Sequence, residues 1–157
     1  MRITGPNRIF ESAAGNRRAA LRAVLLYVFC AALCPAAEES PVPSLARLAS
    51  ALSRNDSVSA LEVFDSSLPG YAGLEANLTA LTAQTDILCA LDVVSDMEAD
   101  GVHTVDVDWY MQLKPQGDAG RVERRRERVT LKMKLFRGKW RITSLSPVSI
   151  LSPVTLP

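Results

Sequence analysis

Between residues 44 and 85 the apolar side chains recur at intervals of three and four, and from residue 86 onward they recur at intervals of two. Leu45, Leu48, Ala49 and Leu52 fall on one helical stripe. Asn55, Asp56 and Ser57 carry break and N-cap chemistry, after which Val58, Leu61 and Phe64 mark a second short helix. Pro69 and Gly70 interrupt again, and Leu74, Leu78 and Leu81 form a third stripe. The pattern predicts three short amphipathic helices ahead of any strand.

The period of two then carries a meander. Ile87, Cys89, Leu91, Val93 and Met97 share one face of a first run; Val105, Val107, Trp109, Met111 and Leu113 share one face of a second. Val129, Leu131, Met133 and Leu135 follow, then Trp140 and Ile142. A one-residue slip would turn an apolar face to water, so parity sets the pairings. It predicts three-residue loops at Ala99, Asp100, Gly101 and at Asp118, Ala119, Gly120, and a two-residue turn at Arg137 and Gly138. The resulting register sets Asp106 against Lys132, Asp108 against Thr130 and Tyr110 against Arg128. Asp86, Asp92, Asp96, Asp106 and Asp108 go to the outward face with Leu88, Ala90 and Val94, leaving His103, Ser95, Glu123, Arg125 and Glu127 as the inward polar residues.

The N-terminus reads differently. Arg17, Arg18 and Arg22 flank a cationic stretch, Ala23 to Leu33 is apolar apart from Tyr27, and Ala36 and Ala37 precede Glu38 and Glu39. That is the order of a secretory signal, with cleavage expected near Ala36 or Ala37. Its apolar run of about 11 to 12 residues is short of the roughly 20 that span a bilayer, so membrane attachment is expected only if the segment stays uncleaved. Asn16, Arg17 and Arg18 before Ala20 and Leu21 resemble a twin-arginine signal, though paired arginines also suit an ordinary one. The expected division is 1–37 leader, 38–43 extended linker with Pro41 and Pro43, 44–150 a single α+β domain, and 151–157 a tail. Export implies a periplasmic or secreted product.

Removing the leader changes the charge. The full chain carries 18 basic and 17 acidic residues; from residue 38 onward the counts are 13 and 16, a net of −3, which argues against nucleic acid as a partner. The charges are segregated: residues 38 to 108 hold 13 acids and only Arg47 and Arg54, whereas 114 to 141 hold 11 basic residues and three acids. Such a strip suits an anionic partner, while cross-strand pairing of the two blocks on a solvated face is the plainer explanation. With Cys30 and Cys34 in the leader, Cys89 stands alone, so it reads as a structural thiol. One His and one Cys cannot build a usual zinc site, no phosphate loop or serine elbow is present, and no cofactor is implied.

Leu68-Pro69-Gly70-Tyr71 with Leu74, Leu78 and Leu81, the Asp100-Gly101 hairpin, the charged strand from Arg121 into Val129-Thr130-Leu131, and Gly138-Lys139-Trp140-Arg141-Ile142 followed by Pro147 resemble the nuclear transport factor 2-like superfamily. That superfamily includes the polyketide cyclase, ketosteroid isomerase and scytalone dehydratase families. The resemblance covers residues 44 to 150 and implies three helices on a curved antiparallel sheet, with cystatin-like topology and an apolar pocket in a cone. Enzymatic members place a carboxylate there, often with a Tyr or His, for acid/base work beside a carbonyl. Here Glu127 and His103 are the weak candidates for a base, and Trp109, Met111, Arg125 and Trp140 are candidates for ligand contact. The reading expected first is a non-catalytic exported domain that binds a small apolar ligand or a protein partner. A small lyase or isomerase is the alternative, and a homodimer through the outward face is a further expectation.

Overall fold

The computed structural model describes residues 40–117 and 121–154. The leader read over 1–37 and the expected loop at Asp118, Ala119 and Gly120 lie outside the described residues. Helix α1 (Val42–Ser53) starts earlier than its apolar stripe suggests. Pro41 is its N-cap and Pro43 sits in its first turn, where a missing N–H is harmless because first-turn donors have no intrahelical acceptor. The extended linker expected over 38–43 is therefore cut short at its C-terminal end.

Helix α1 buries Leu45, Leu48, Ala51 and Leu52. Helix α2 (Ser57–Leu61) is capped by Asp56, whose Oδ1 accepts from the Ser59 N–H at 2.9 Å. Val58, expected on the buried stripe, is 70% exposed, and Ala60 is the buried residue of this short helix. Phe64 lies beyond its end and bridges to Ile142. Helix α3 (Tyr71–Gln84) buries Leu74, Leu78 and Leu81 as the stripe predicts.

Strands β1 (Thr85–Ala99), β2 (Val102–Pro115), β3 (Glu123–Phe136) and β4 (Lys139–Ser146) form an antiparallel sheet in sequence order. The helices and the sheet share one core, in which Val105, Val107, Trp109, Met111, Leu113, Val129, Leu131, Met133 and Ile142 have no solvent-accessible surface. A 3-10 turn at Ser149–Leu151 adds Ile150 and Leu151, and Val154 packs on the same cluster. Part of the segment read as a tail thus belongs to the domain, because Leu151 is fully buried.

Both edges of the sheet are partly satisfied, which limits pairing with other chains. On β1, Ile87 N–H donates to Asn55 Oδ1 at 3.2 Å and Cys89 N–H to Ser53 Oγ at 3.0 Å. On β4, Ile142 N–H donates to the Val63 carbonyl at 2.8 Å, and Asp65 N–H to the Ile142 carbonyl at 2.9 Å.

The turns correct the expected register. Ala99 pairs with Val102, so the first hairpin closes on two residues, Asp100 and Gly101, rather than three. Both have positive φ, 54° and 71°, as a type I′ turn requires. Parity is preserved by a bulge: Val93 pairs with Val107 but Ser95 with Asp106, leaving Val94 as the extra residue. Beyond the bulge every side chain of β1 changes face. Ser95 and Met97 therefore point outward, and Asp96 and Glu98 share the face of Val105 and His103. Strand β3 also stands two residues away from its expected register against β2. Asp106 faces Thr130, Asp108 faces Arg128 and Tyr110 faces Arg126. The third turn, Arg137-Gly138, has two residues as predicted, with φ of 49° and 77°.

Candidate functional site

The bulge in β1 gives His103 a partner that strict alternation had sent to the opposite face. Asp96 Oδ1 lies 2.7 Å from His103 Nδ1, and Glu98 Oε2 lies 3.9 Å from Nε2. The ring meets Trp140 edge-on, with centroids 4.6 Å apart and planes at 75°. His103 is thus oriented by a carboxylate on one nitrogen and an indole against its ring, an arrangement that holds an imidazole in one tautomer. Asp96 and Glu98 are the residues that sequence reasoning missed. The signal that points to them is Asp100-Gly101, a two-residue turn that conflicts with the shared parity of the two strands unless one of them bulges.

Glu127, the other candidate base, is elsewhere. It pairs with Trp109 across the strands, six positions along β2 from His103 and so about 20 Å away. Its Oε2 accepts from Ser149 Oγ at 3.4 Å. Arg125 pairs with Met111 across the strands. Its Nε donates to Glu123 Oε1 at 2.7 Å, and its Nη1 donates to the carbonyls of Ile150, at 3.0 Å, and Ser152. This guanidinium straps the C-terminal segment to β3. Glu123, Arg125, Arg126 and Glu127 face Ser149, Ile150, Ser152 and Pro153 across an open groove of about 510 Å³, so the groove is polar and of mixed charge.

Trp109, Met111 and Trp140 lie in the core. Trp109 and Met111 have no accessible surface and Trp140 retains 8%. A side chain lining a void that admits water keeps some accessible area, so Trp109 and Met111 line none. Burial pushes the Cys89 thiol up to about 12, which leaves it protonated and unreactive at neutral pH. The Trp109 indole N–H is buried without a partner of hydrogen-bond geometry, although it lies near enough to Cys89 to favour the thiolate slightly. Among the described residues, no group of three or more His, Cys, Asp or Glu could hold a metal ion.

On the outward face Arg126 grips Asp108, with Nη2 2.6 Å from Oδ2 and Nε 3.1 Å from both carboxylate oxygens. The hydrogen bond from Arg126 holds the Asp108 carboxyl below its ordinary value, helped by the charges of Arg126 and Arg128. Asp106 accepts from Thr130 at 2.7 Å and Ser95 at 2.9 Å, and these bonds lower it too. The expected pairing of acid with base is present here, on shifted partners.

No family model matches the chain, and no curated protein does. Solved structures do match. A protein of the nuclear transport factor 2-like superfamily from Salmonella enterica is 14% identical and superposes with a TM-score of 0.56, covering 73% of this chain and 89% of its own. The fold is nuclear transport factor 2-like. A conserved protein from Planctomyces limnophilus superposes on this nuclear transport factor 2-like domain at a TM-score of 0.59, with 11% identity over 66% of this chain and 88% of its own. A protein of unknown function with a cystatin-like fold from Nostoc punctiforme gives 0.50, with 16% identity over 66% and 84%. At such identities the likeness concerns the fold alone.

Proposed function

We propose that the nuclear transport factor 2-like domain is a non-catalytic, exported binding module that engages a protein partner through its surface. The observation that carries this reading is the sealed centre of the inner layer, with only its end toward the first hairpin open, where Val93 and Leu135 are 40% and 47% exposed. Val107, Trp109, Met111, Leu113, Val129 and Leu131 have no accessible surface, so these side chains offer no open wall to a small apolar ligand. The unreactive Cys89 thiol and the separation of Glu127 from His103 support it further. Export rests on the leader-like order of residues 1–37. Native mass spectrometry of the protein purified from its host tests the binding mode: the expected spectrum shows no small molecule, and a stoichiometric one would overturn the reading. Cell fractionation with N-terminal sequencing tests export; an intact Met1 on an intracellular product would refute it.

A second reading rests on the Asp96–His103 contact of 2.7 Å. An imidazole oriented in this way could act as the base of a small lyase or isomerase. Its test is deuterium uptake from heavy water into a panel of enolisable ketones. Catalysis requires uptake that is lost in His103→Gln; uptake at the uncatalysed rate would eliminate it.

A further inference from the structure

The outward row of β3 carries cations at near-regular spacing. Arg124, Arg126, Arg128, Lys132 and Lys134 alternate along the strand and are all exposed, so neighbouring charges stand about 7 Å apart, or twice that across Thr130. Arg126 is engaged by Asp108, and Arg128 feels Asp106 and Asp108 electrostatically. Among the described residues, Arg124, Lys132 and Lys134 have no side-chain hydrogen bond or ion pair. Lys134 stands opposite Arg141 across the strands, but Arg141 is turned to the Phe64 carbonyl, at 3.4 Å, and to the charge of Asp65, so Lys134 is left without a counter-charge at this end of the row. By parity the row ends on Phe136, which is 40% exposed.

From this we infer that the outward face of β3 docks an extended acidic segment of a protein partner, with carboxylates at alternate positions and an apolar residue at one end. The inference rests on the reading of the domain as a protein-binding module. An extended peptide repeats its side chains on one face with the same period as β3, so each carboxylate can meet a cation without the backbone bending. A second copy of this chain is disfavoured, because the centres of protein interfaces are depleted in lysine and the exposed apolar residues Leu88, Val94 and Met97 lie on β1, two strands away. The face should guide encounter and orientation, with contacts weakened by salt.

The test is fluorescence anisotropy of the full-length chain with two labelled peptides of equal composition, one with Glu at alternate positions before a terminal Leu, the other with its Glu residues contiguous. The expected result is roughly tenfold tighter binding of the alternating peptide, lost in the double variant Arg124→Gln/Lys134→Gln and kept in Arg47→Gln/Arg54→Gln. Circular dichroism of each variant confirms that it folds. Equal affinity for both peptides, equal displacement by inorganic polyphosphate, or no binding at millimolar peptide would each overturn the proposal. So would concentration-dependent self-association abolished by the same double variant, since a second copy would then be the occupant. A small molecule in the native mass spectrum would instead remove the underlying reading, so the two failures are distinguishable.

Discussion

The first and last hairpins of the sheet solve the same geometric problem with opposite charges. Each turns on two residues of positive φ, Asp100-Gly101 and Arg137-Gly138, and each contains a bulge, at Val94 in β1 and at Thr143 in β4. Each also sets like charges directly opposite one another, Asp92 against Asp108 in the first and Lys134 against Arg141 in the last. In the first hairpin the repulsion is relieved from the neighbouring strand β3, whose Arg126 grips Asp108 and attracts Asp92. In the last hairpin the relief reaches only Arg141, which donates to the Phe64 carbonyl at 3.4 Å and lies near Asp65, while the Lys134 side chain makes no hydrogen bond or ion pair among the described residues. A cationic face left in that state is where an anionic partner gains most.

The largest expected effect tests whether the two hairpins share one sealed core. Trp109→Ala should cost about 3 to 5 kcal/mol and Ile142→Val about 0.5 to 1.5, read from urea denaturation midpoints. A cost well under 1 kcal/mol for Trp109→Ala would mean that the inner layer is not closed. Next come the turns. Gly101→Val and Gly138→Val should each cost about 1 to 2 kcal/mol, because a β-branched residue must then hold a left-handed conformation. Unequal losses would show that the two turns are not equivalent.

Deleting Val94 should remove the asymmetry that the bulge creates. Because Val94 is the residue without a partner, Val93 would still pair with Val107 and Ser95 with Asp106, so Asp96 should keep its inward face and its contact with His103. Nitrogen-15 imidazole shifts of His103 should then be unchanged, and a changed spectrum would show that the bulge itself, rather than the register beyond it, holds the contact.

The smallest effects concern the like-charge pairs and should have opposite signs. Arg126→Gln should lower stability because it exposes the Asp92 and Asp108 repulsion, whereas Lys134→Gln should raise it slightly. Thermal midpoints at low salt would reveal the difference, and the same sign for both would break the comparison. Acid sharpens it further. Asp106 and Asp108 titrate below their ordinary value when folded, so their stabilisation is present above the unfolded value and is lost as pH falls through the folded one. Asp106→Asn should therefore flatten the acid limb of the stability profile; an unchanged limb would show that its hydrogen bonds contribute nothing.

The bulge also explains which part of the candidate site could be read from the sequence. Alternation located the strands and sent His103 inward, because burial imposes a period of two on a half-solvated sheet. It did not bring Asp96 to His103, since one extra residue reverses every side chain beyond it without changing composition. The clue was nevertheless available: Asp-Gly is the usual signature of a two-residue hairpin, and two residues conflict with the parity of the two strands unless one strand bulges. The register of β3 against β2 was less legible. A shift of two residues keeps every apolar side chain on its own face, so hydrophobic pattern cannot distinguish the expected register from the observed one.

Local chemistry alone determined the three helices, the four strands, the inward apolar face and the separation of acidic from basic blocks. These follow from spacing, capping and turn propensity, which act within a few residues. Only the tertiary structure decided that Arg125 is spent on carbonyls of the C-terminal segment, that Trp109 and Met111 are sealed, that Asp96 orients His103, and which cations on β3 lack a partner. Each depends on which residue of one strand stands opposite which residue of another, and that choice is made by loop length, a bulge and packing against distant segments.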